Sequence, residues 1–241
     1  MAAPVTRIRA VLFDWGDTLF ASPHAPSVIV EGARELGVTV DAETARQVWD
    51  EIWSAGKSAE EHAKGRDLSP LAHRKVWTAL FDRANRVAAG LDEILYARVM
   101  DPAGWIPYAD TAPTLRALKA RSVKVGIVSN IPRDLRPLFS QHGLGDTVDA
   151  YTLSYEQGVA KPDPALFLAA YRELGVPPAE TLMVGDDPVT DGGAGAAGLQ
   201  VYVLPPHDGG PARGLARVVE LVDASRASVT ARSAPSPASG A

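Results

Sequence analysis

Beyond Tyr108 the chain alternates between short apolar runs and helix-length amphipathic segments, and this beat sets what it can fold into. Residues 123–129 (VKVGIVS), 150–154, 181–185 (TLMVG) and 201–204 read as strands. Helical patterns of roughly 10–15 residues separate them, enough for a crossover and too much for a hairpin. The strands therefore belong to a parallel sheet, and their continuous apolar character fits a sheet covered on both faces. Residues 8–13 (IRAVLF) form a further strand far upstream. Between them the signals are helical. Asp41 is placed to cap a helix whose Val48, Trp49, Ile52 and Trp53 share one face. Ser69-Pro70 marks a second helix start, and Leu91, Ile94, Leu95 and Val99 mark a third helix. The expectation is an α/β fold, a doubly wound parallel sheet formed by residues 1–20 and 105–223, with an all-helical cap inserted over 21–104. From 224 to 241 the chain is rich in Ser, Ala, Pro and Gly without apolar periodicity, and reads as a disordered tail.

The 241 residues carry a formal charge of −5, which argues against nucleic acid as a partner, since that binding depends on Lys and Arg neutralising phosphates. With no cysteine, disulfides, thiolate zinc sites and thiol nucleophiles are excluded. No stretch approaches the ~20 apolar residues of a membrane span, and the first residues lack the apolar region of a secretion signal. A cytoplasmic protein without membrane partners is expected.

In open α/β sheets ligands bind beyond the carboxyl ends of the strands. There the sequence places Asp14-Trp15-Gly16-Asp17-Thr18, then Ser129-Asn130, then Ser154 with Lys161 beyond it, then Asp186-Asp187 with Asp191. Converging carboxylates repel one another and take up protons unless a cation lies among them. Oxygen ligands suit Mg²⁺, and a metal beside a lysine is suited to a phosphoryl group. The run Gly193-Ala-Gly195-Ala-Ala-Gly198 spells a dinucleotide fingerprint, but it does not directly follow a strand and reads as a small-residue helix packed on the sheet. The five histidines, His24, His62, His73, His142 and His207, show no ligand spacing and read as surface or packing residues.

An Asp-x-x-x-Thr after the first strand, Ser129 after the second, Lys161-Pro-Asp-Pro, and Gly-Asp186-Asp-x-x-x-Asp191 together resemble the four motifs of the haloacid dehalogenase superfamily, over residues 8–204. The insertion point resembles subfamily I, with its helical cap. The resemblance implies a Mg²⁺-dependent hydrolase of a small phosphorylated metabolite. In it Asp14 is the nucleophile, Ser129 and Lys161 hold the phosphoryl group, and Trp15, Thr18 and Asn130 border the substrate. The metal would be held by Asp14, the carbonyl of Gly16 and Asp186, with Asp187 or Asp191 completing the set. One position departs from the pattern. Most phosphatases of this family carry a second Asp two residues after the nucleophile as general acid, and here that position is Gly16, with an acid one place later at Asp17. The departure keeps open a 2-haloacid dehalogenase, a phosphonoacetaldehyde-type hydrolase using Lys57, Lys64 or Lys75 of the cap, and a weakly active binding protein.

Overall fold

Strand β1 (Ala10–Phe13) is four apolar residues, all buried. Such a strand needs cover on both faces, which an interior position in a sheet supplies. The computed structural model describes residues 6–23, 26–207 and 209–233. In these it forms β1, β2 (Phe20–Ala21), β3 (Ile106–Pro107), β4 (Lys124–Ser129), β5 (Ala150–Leu153), β6 (Thr181–Gly185) and β7 (Gln200–Val203). The main sheet has the order β5-β4-β1-β6-β7, and each neighbouring pair is parallel. Chain order runs outward from β1 through β4 to β5, then resumes on the other side with β6. The strand order therefore reverses between β1 and β6, where a crevice opens at the carboxyl edge. Asp14 and Asp186 directly follow those two strands.

The helices are α1 (Ser27–Glu35), α2 (Ala42–Gly56), α3 (Ala59–Ala63), α4 (Pro70–Phe81), α5 (Leu91–Met100), α6 (Thr111–Ala120), α7 (Arg136–Gln141), α8 (Ser154–Gln157), α9 (Pro164–Leu174) and α10 (Ala216–Ser233). Side chains alternate across the sheet. Val11 and Phe13 join Leu115 and Leu118 of α6, Phe139 of α7 and Val218 and Val222 of α10. Ala10 and Leu12 face Leu166, Phe167 and Ala170 of α9. Helices α1 to α5 enclose a separate apolar core with Ile29, Val48, Ile52, Leu80, Phe81, Leu91 and Leu95 at its centre. Two starts there follow from local chemistry: Asp41 accepts from Thr44 N at 2.8 Å and Ser69 from Ala72 N at 3.1 Å. The chain leaves the sheet domain through β2 and returns through β3, and the two pair antiparallel, Phe20 opposite Pro107 and Ala21 opposite Ile106. This two-stranded ribbon is the neck between the helical layer and the sheet.

Two expectations are corrected. The chain beyond 224 does not begin as an unstructured tail, because α10 continues to Ser233. Ser225 is buried and its hydroxyl accepts from Ile8 N at 3.0 Å, so tertiary packing supplies what the sequence periodicity lacks. Residues 234–241 of that expected tail, the start of the chain up to Val5 and His24 lie outside the described residues. The glycine-rich run forms a 3₁₀ turn (Gly192–Ala197) rather than an α-helix, with Ala194 buried against the sheet. No helix among the described residues is long and apolar enough to cross a membrane.

Candidate active site

Three loops at the crevice bring their charged groups into contact. The Asp14 amide donates to Val184 O at 2.9 Å, which fixes the residue at the tip of β1. Lys161 reaches in from the loop before α9, its side chain 2% exposed, with Nζ 2.7 Å from Asp14 Oδ1 and 2.6 Å from Asp191 Oδ1. Asp191 is fully buried, and its other oxygen accepts from Asp187 N at 3.0 Å. Gly185 makes this possible: a β-carbon there would lie 2.0 Å from Asp191 Oδ2, so only glycine leaves the carboxylate room beneath the loop. Oxygens of Asp14, Asp186 and Asp191 all come within 4.8 Å of one another.

Burial, more than any neighbour, pushes the Asp14 carboxyl up to about 7; Asp191 and Asp186 add to the shift and Lys161 opposes it. Asp186 is pushed up to about 6, again chiefly by burial, with Asp191 and Asp17 reinforcing. Burial alone would favour a neutral Lys161, but Asp14 and Asp191 outweigh it and hold the amine above its ordinary value. Asp187 differs. Burial would raise it, yet amide donors prevail and it stands below the usual range, with Oδ1 accepting from Val189 N at 2.8 Å and Thr190 N at 2.9 Å. Its carboxylate closes a turn rather than joining the trio.

The trio is a fit for a hard divalent cation: all the donors are oxygens, they are clustered, and burial raises two of them toward their protonated form in its absence. Ser129, at the end of β4, lines the cavity. Asn130, expected beside the substrate, lines the cavity and also grips the lysine: its Nδ2 donates to Lys161 O at 2.9 Å and its Oδ1 accepts from Lys161 N at 2.7 Å. Thr18 is a correction. It is fully buried, does not line the cavity, and donates to Asp186 Oδ1 at 3.2 Å. Both residues aim charged groups from behind. Trp15 lines the cavity, 2% exposed, packed against Trp105 with ring centroids 4.0 Å apart and the rings tilted by 31°.

The space where an acid two residues beyond Asp14 would project is filled by the indole of Trp105, whose Cζ3 lies 3.3 Å from the β-carbon position of Gly16. Asp17, one place later, also lines the cavity. It sits at φ 52°, and its Oδ1 accepts from Ser22 N at 3.1 Å and Ser22 Oγ at 2.7 Å, bracing the neck.

A cavity of about 230 Å³ lies between the crevice and the helical layer. Its far wall contains Lys57, His62, Arg66, Asp67, His73 and Trp77. The sequence reading assigned His62 and His73 to surface or packing and passed over Arg66 and Asp67, since nothing local announces that a short 3₁₀ turn (Arg66–Leu68) faces a site built elsewhere. Of the cap lysines, Lys57 reaches this wall, while Lys64 pairs with Glu61 at 2.5 Å and Lys75 lies on an outer face.

The family model of haloacid dehalogenase-like hydrolases matches residues 8–198. The chain is 27% identical over 209 residues to haloacid dehalogenase-like hydrolase domain-containing protein 3 of Bos taurus, covering 82% of each chain. It is 29% identical to the glyceraldehyde 3-phosphate phosphatase of Methanopyrus kandleri, covering 74% of this chain and 76% of that one. Among solved structures it resembles a 2-haloacid dehalogenase from Pseudomonas syringae pv. Tomato DC3000, with TM-score 0.56 and 25% identity over 90% of this chain and 99% of the other.

Proposed function

The chain belongs to the haloacid dehalogenase-like hydrolases, and we propose that within them it is a Mg²⁺-dependent phosphatase acting on a small phosphorylated metabolite, with Asp14 as nucleophile. The observation that carries this reading is the close trio of Asp14, Asp186 and the buried Asp191, with Lys161 between Asp14 and Asp191. Attack on a carbon–halogen bond needs one carboxylate, and two further carboxylates beside it serve only to raise its proton affinity. A phosphoryl group brings both the charge and the cation that such a cluster suits.

Lys161 binds Oδ1 of Asp14, leaving Oδ2 to attack phosphorus. As the Asp14–phosphorus bond forms, the bond to the leaving oxygen breaks. Lys161 and the hydroxyl of Ser129, both on the cavity wall, would hold the phosphoryl oxygens. Water then attacks phosphorus, frees inorganic phosphate and regenerates the Asp14 carboxylate. Asp14, the Gly16 carbonyl, Asp186 and Asp191 would hold Mg²⁺, which when bound supplies positive charge against the phosphoryl oxygens. Asn130 fixes the Lys161 backbone and Thr18 fixes Asp186, so neither ammonium nor carboxylate must be ordered during turnover.

The aromatic wall of Trp15 and Trp105 and the absence of an acid at position 16 favour a second reading, dehalogenation of a small haloacid. One assay separates the two. Phosphate and halide release are followed over panels of phosphorylated metabolites and haloacids, with Mg²⁺ and with chelator, for wild type and Asp14→Asn. Mg²⁺-dependent phosphate release abolished by Asp14→Asn is the expected result. Halide release indifferent to chelator would replace the phosphatase reading with the second one.

A further inference from the structure

A phosphatase must protonate its leaving oxygen, and the nucleophile loop offers no group for the task. Asp17 also lines the cavity, but its Oδ1 is committed to the amide and hydroxyl of Ser22, which tie its carboxylate to the neck. Asp187 is held by two backbone amides, and Lys161 is clamped between Asp14 and Asp191. His62 is excluded by its partners. Its Nδ1 is 2.9 Å from the Ser58 carbonyl, which accepts only, and its Nε2 is 3.3 Å from the Arg66 guanidinium, which donates only. Both ring nitrogens are thus engaged.

Asp67 remains. It lies in the turn between α3 and α4, on the cavity wall, with its side chain 12% exposed. Oδ2 is 3.3 Å from Arg66 Nε, and Oδ1 has no hydrogen-bond partner among the described residues. The turn is docked on the sheet domain by Ser154, whose hydroxyl donates to Asp67 O at 2.5 Å. Burial is the largest influence on its carboxyl and raises it above the usual range, against the opposing charges of Arg66, His62 and Lys161. An acid that keeps its proton nearer neutrality is suited to donate it.

We propose that Asp67, carried on the helical cap, is the general acid and base of this site, taking the place of the acid that Gly16 lacks. The inference rests on the phosphatase reading. As Asp14 attacks and the phosphorus–oxygen bond breaks, the Asp67 proton passes to the leaving oxygen. The resulting Asp67 carboxylate then accepts a proton from the water that attacks the aspartyl phosphate, which restores both residues and releases phosphate. The acid arrives with the cap, so chemistry is confined to the docked arrangement that Ser154 holds.

The test compares wild type with Asp67→Asn on a simple alkyl phosphate, whose leaving alkoxide needs a proton, and on p-nitrophenyl phosphate, whose phenolate does not. Alkyl phosphate turnover is expected to fall ~10²–10⁴-fold in the variant. With p-nitrophenyl phosphate the variant should keep a first-turnover burst of nitrophenol at near the wild-type rate, and phosphorylated Asp14 should accumulate, visible by intact mass. Undiminished alkyl phosphate turnover would overturn the assignment. A burst lost to the same extent as alkyl turnover would also overturn it, by showing that Asp67 is structural. A wild type that releases phosphate from neither ester would sink the phosphatase reading itself, and the proposed acid with it.

Discussion

Gly16 is needed for room rather than for backbone freedom. Its β-carbon position is 3.3 Å from Trp105 Cζ3 and 3.6 Å from Cη2, and the indole is held there by a hydrogen bond from Nε1 to Val99 O at 3.0 Å. Read from sequence alone, Gly16→Asp restores a missing acid; in the structure it drives a carboxylate against a packed pair of indoles. We expect Gly16→Asp to lower stability by about 1–3 kcal/mol through overpacking and to leave phosphate release no faster than wild type. Trp105→Leu in the same background should recover part of the lost Tm, since the two positions share one space. Thermal denaturation of the single and double variants checks the first claim, and a phosphate assay the second. What the sequence reveals at this site follows the same logic. Asp14, Ser129, Lys161, Asp186 and Asp191 can be picked out because each follows a strand at fixed spacing. Trp105 and Asp67 cannot, because their approach to the nucleophile loop depends on how a distant segment packs.

Local chemistry also decides which elements are legible. The starts of α2 and α4 are written in Asp41 and in Ser69-Pro70, whose side chains cap the helices that follow. The five parallel strands are written in apolar runs between helical patterns. Helix α10 is not, because its stability comes from what it touches. Val218 and Val222 enter the core beside β1, Asp223 pairs with Arg121 at 2.8 Å, and Ser225 takes the Ile8 amide just before β1. Its Oγ also donates to Val222 O at 2.7 Å, so the hydroxyl is satisfied in both roles. Ser225→Ala leaves a buried amide without an acceptor. The expected loss is about 1–3 kcal/mol, or about 2–4 °C in Tm per kcal/mol for a chain of this length. Thermal melts of wild type and Ser225→Ala measure it, and an unchanged Tm would mean that α10 does not anchor the first strand.

The two layers are joined by the β2–β3 neck, by Ser154 on Asp67 and by Arg133, which donates to Met100 O. Charged groups of both layers line the cavity between them, which ties the molecule's stability to pH and to cations. A carboxyl raised in the folded state binds its proton more tightly there than in the unfolded chain. Its contribution favours folding at low pH and is lost as pH climbs from the ordinary Asp value through the folded one. For Asp14 and Asp186 that window runs from 3.8 to about 7 and to about 6, respectively. A divalent cation bound by the ionised trio reverses the penalty, but at low pH it must displace protons first. The difference in Tm with and without Mg²⁺ should therefore be small at pH 5 and grow toward pH 8. Using the difference cancels the carboxylates elsewhere that shift the other way. Asp14→Asn removes one of the repelling charges at nearly constant shape. In chelator at pH 8 it should melt above wild type, and its response to Mg²⁺ should shrink. A Mg²⁺ response independent of pH, or one undiminished in Asp14→Asn, would place the cation somewhere other than among these carboxylates.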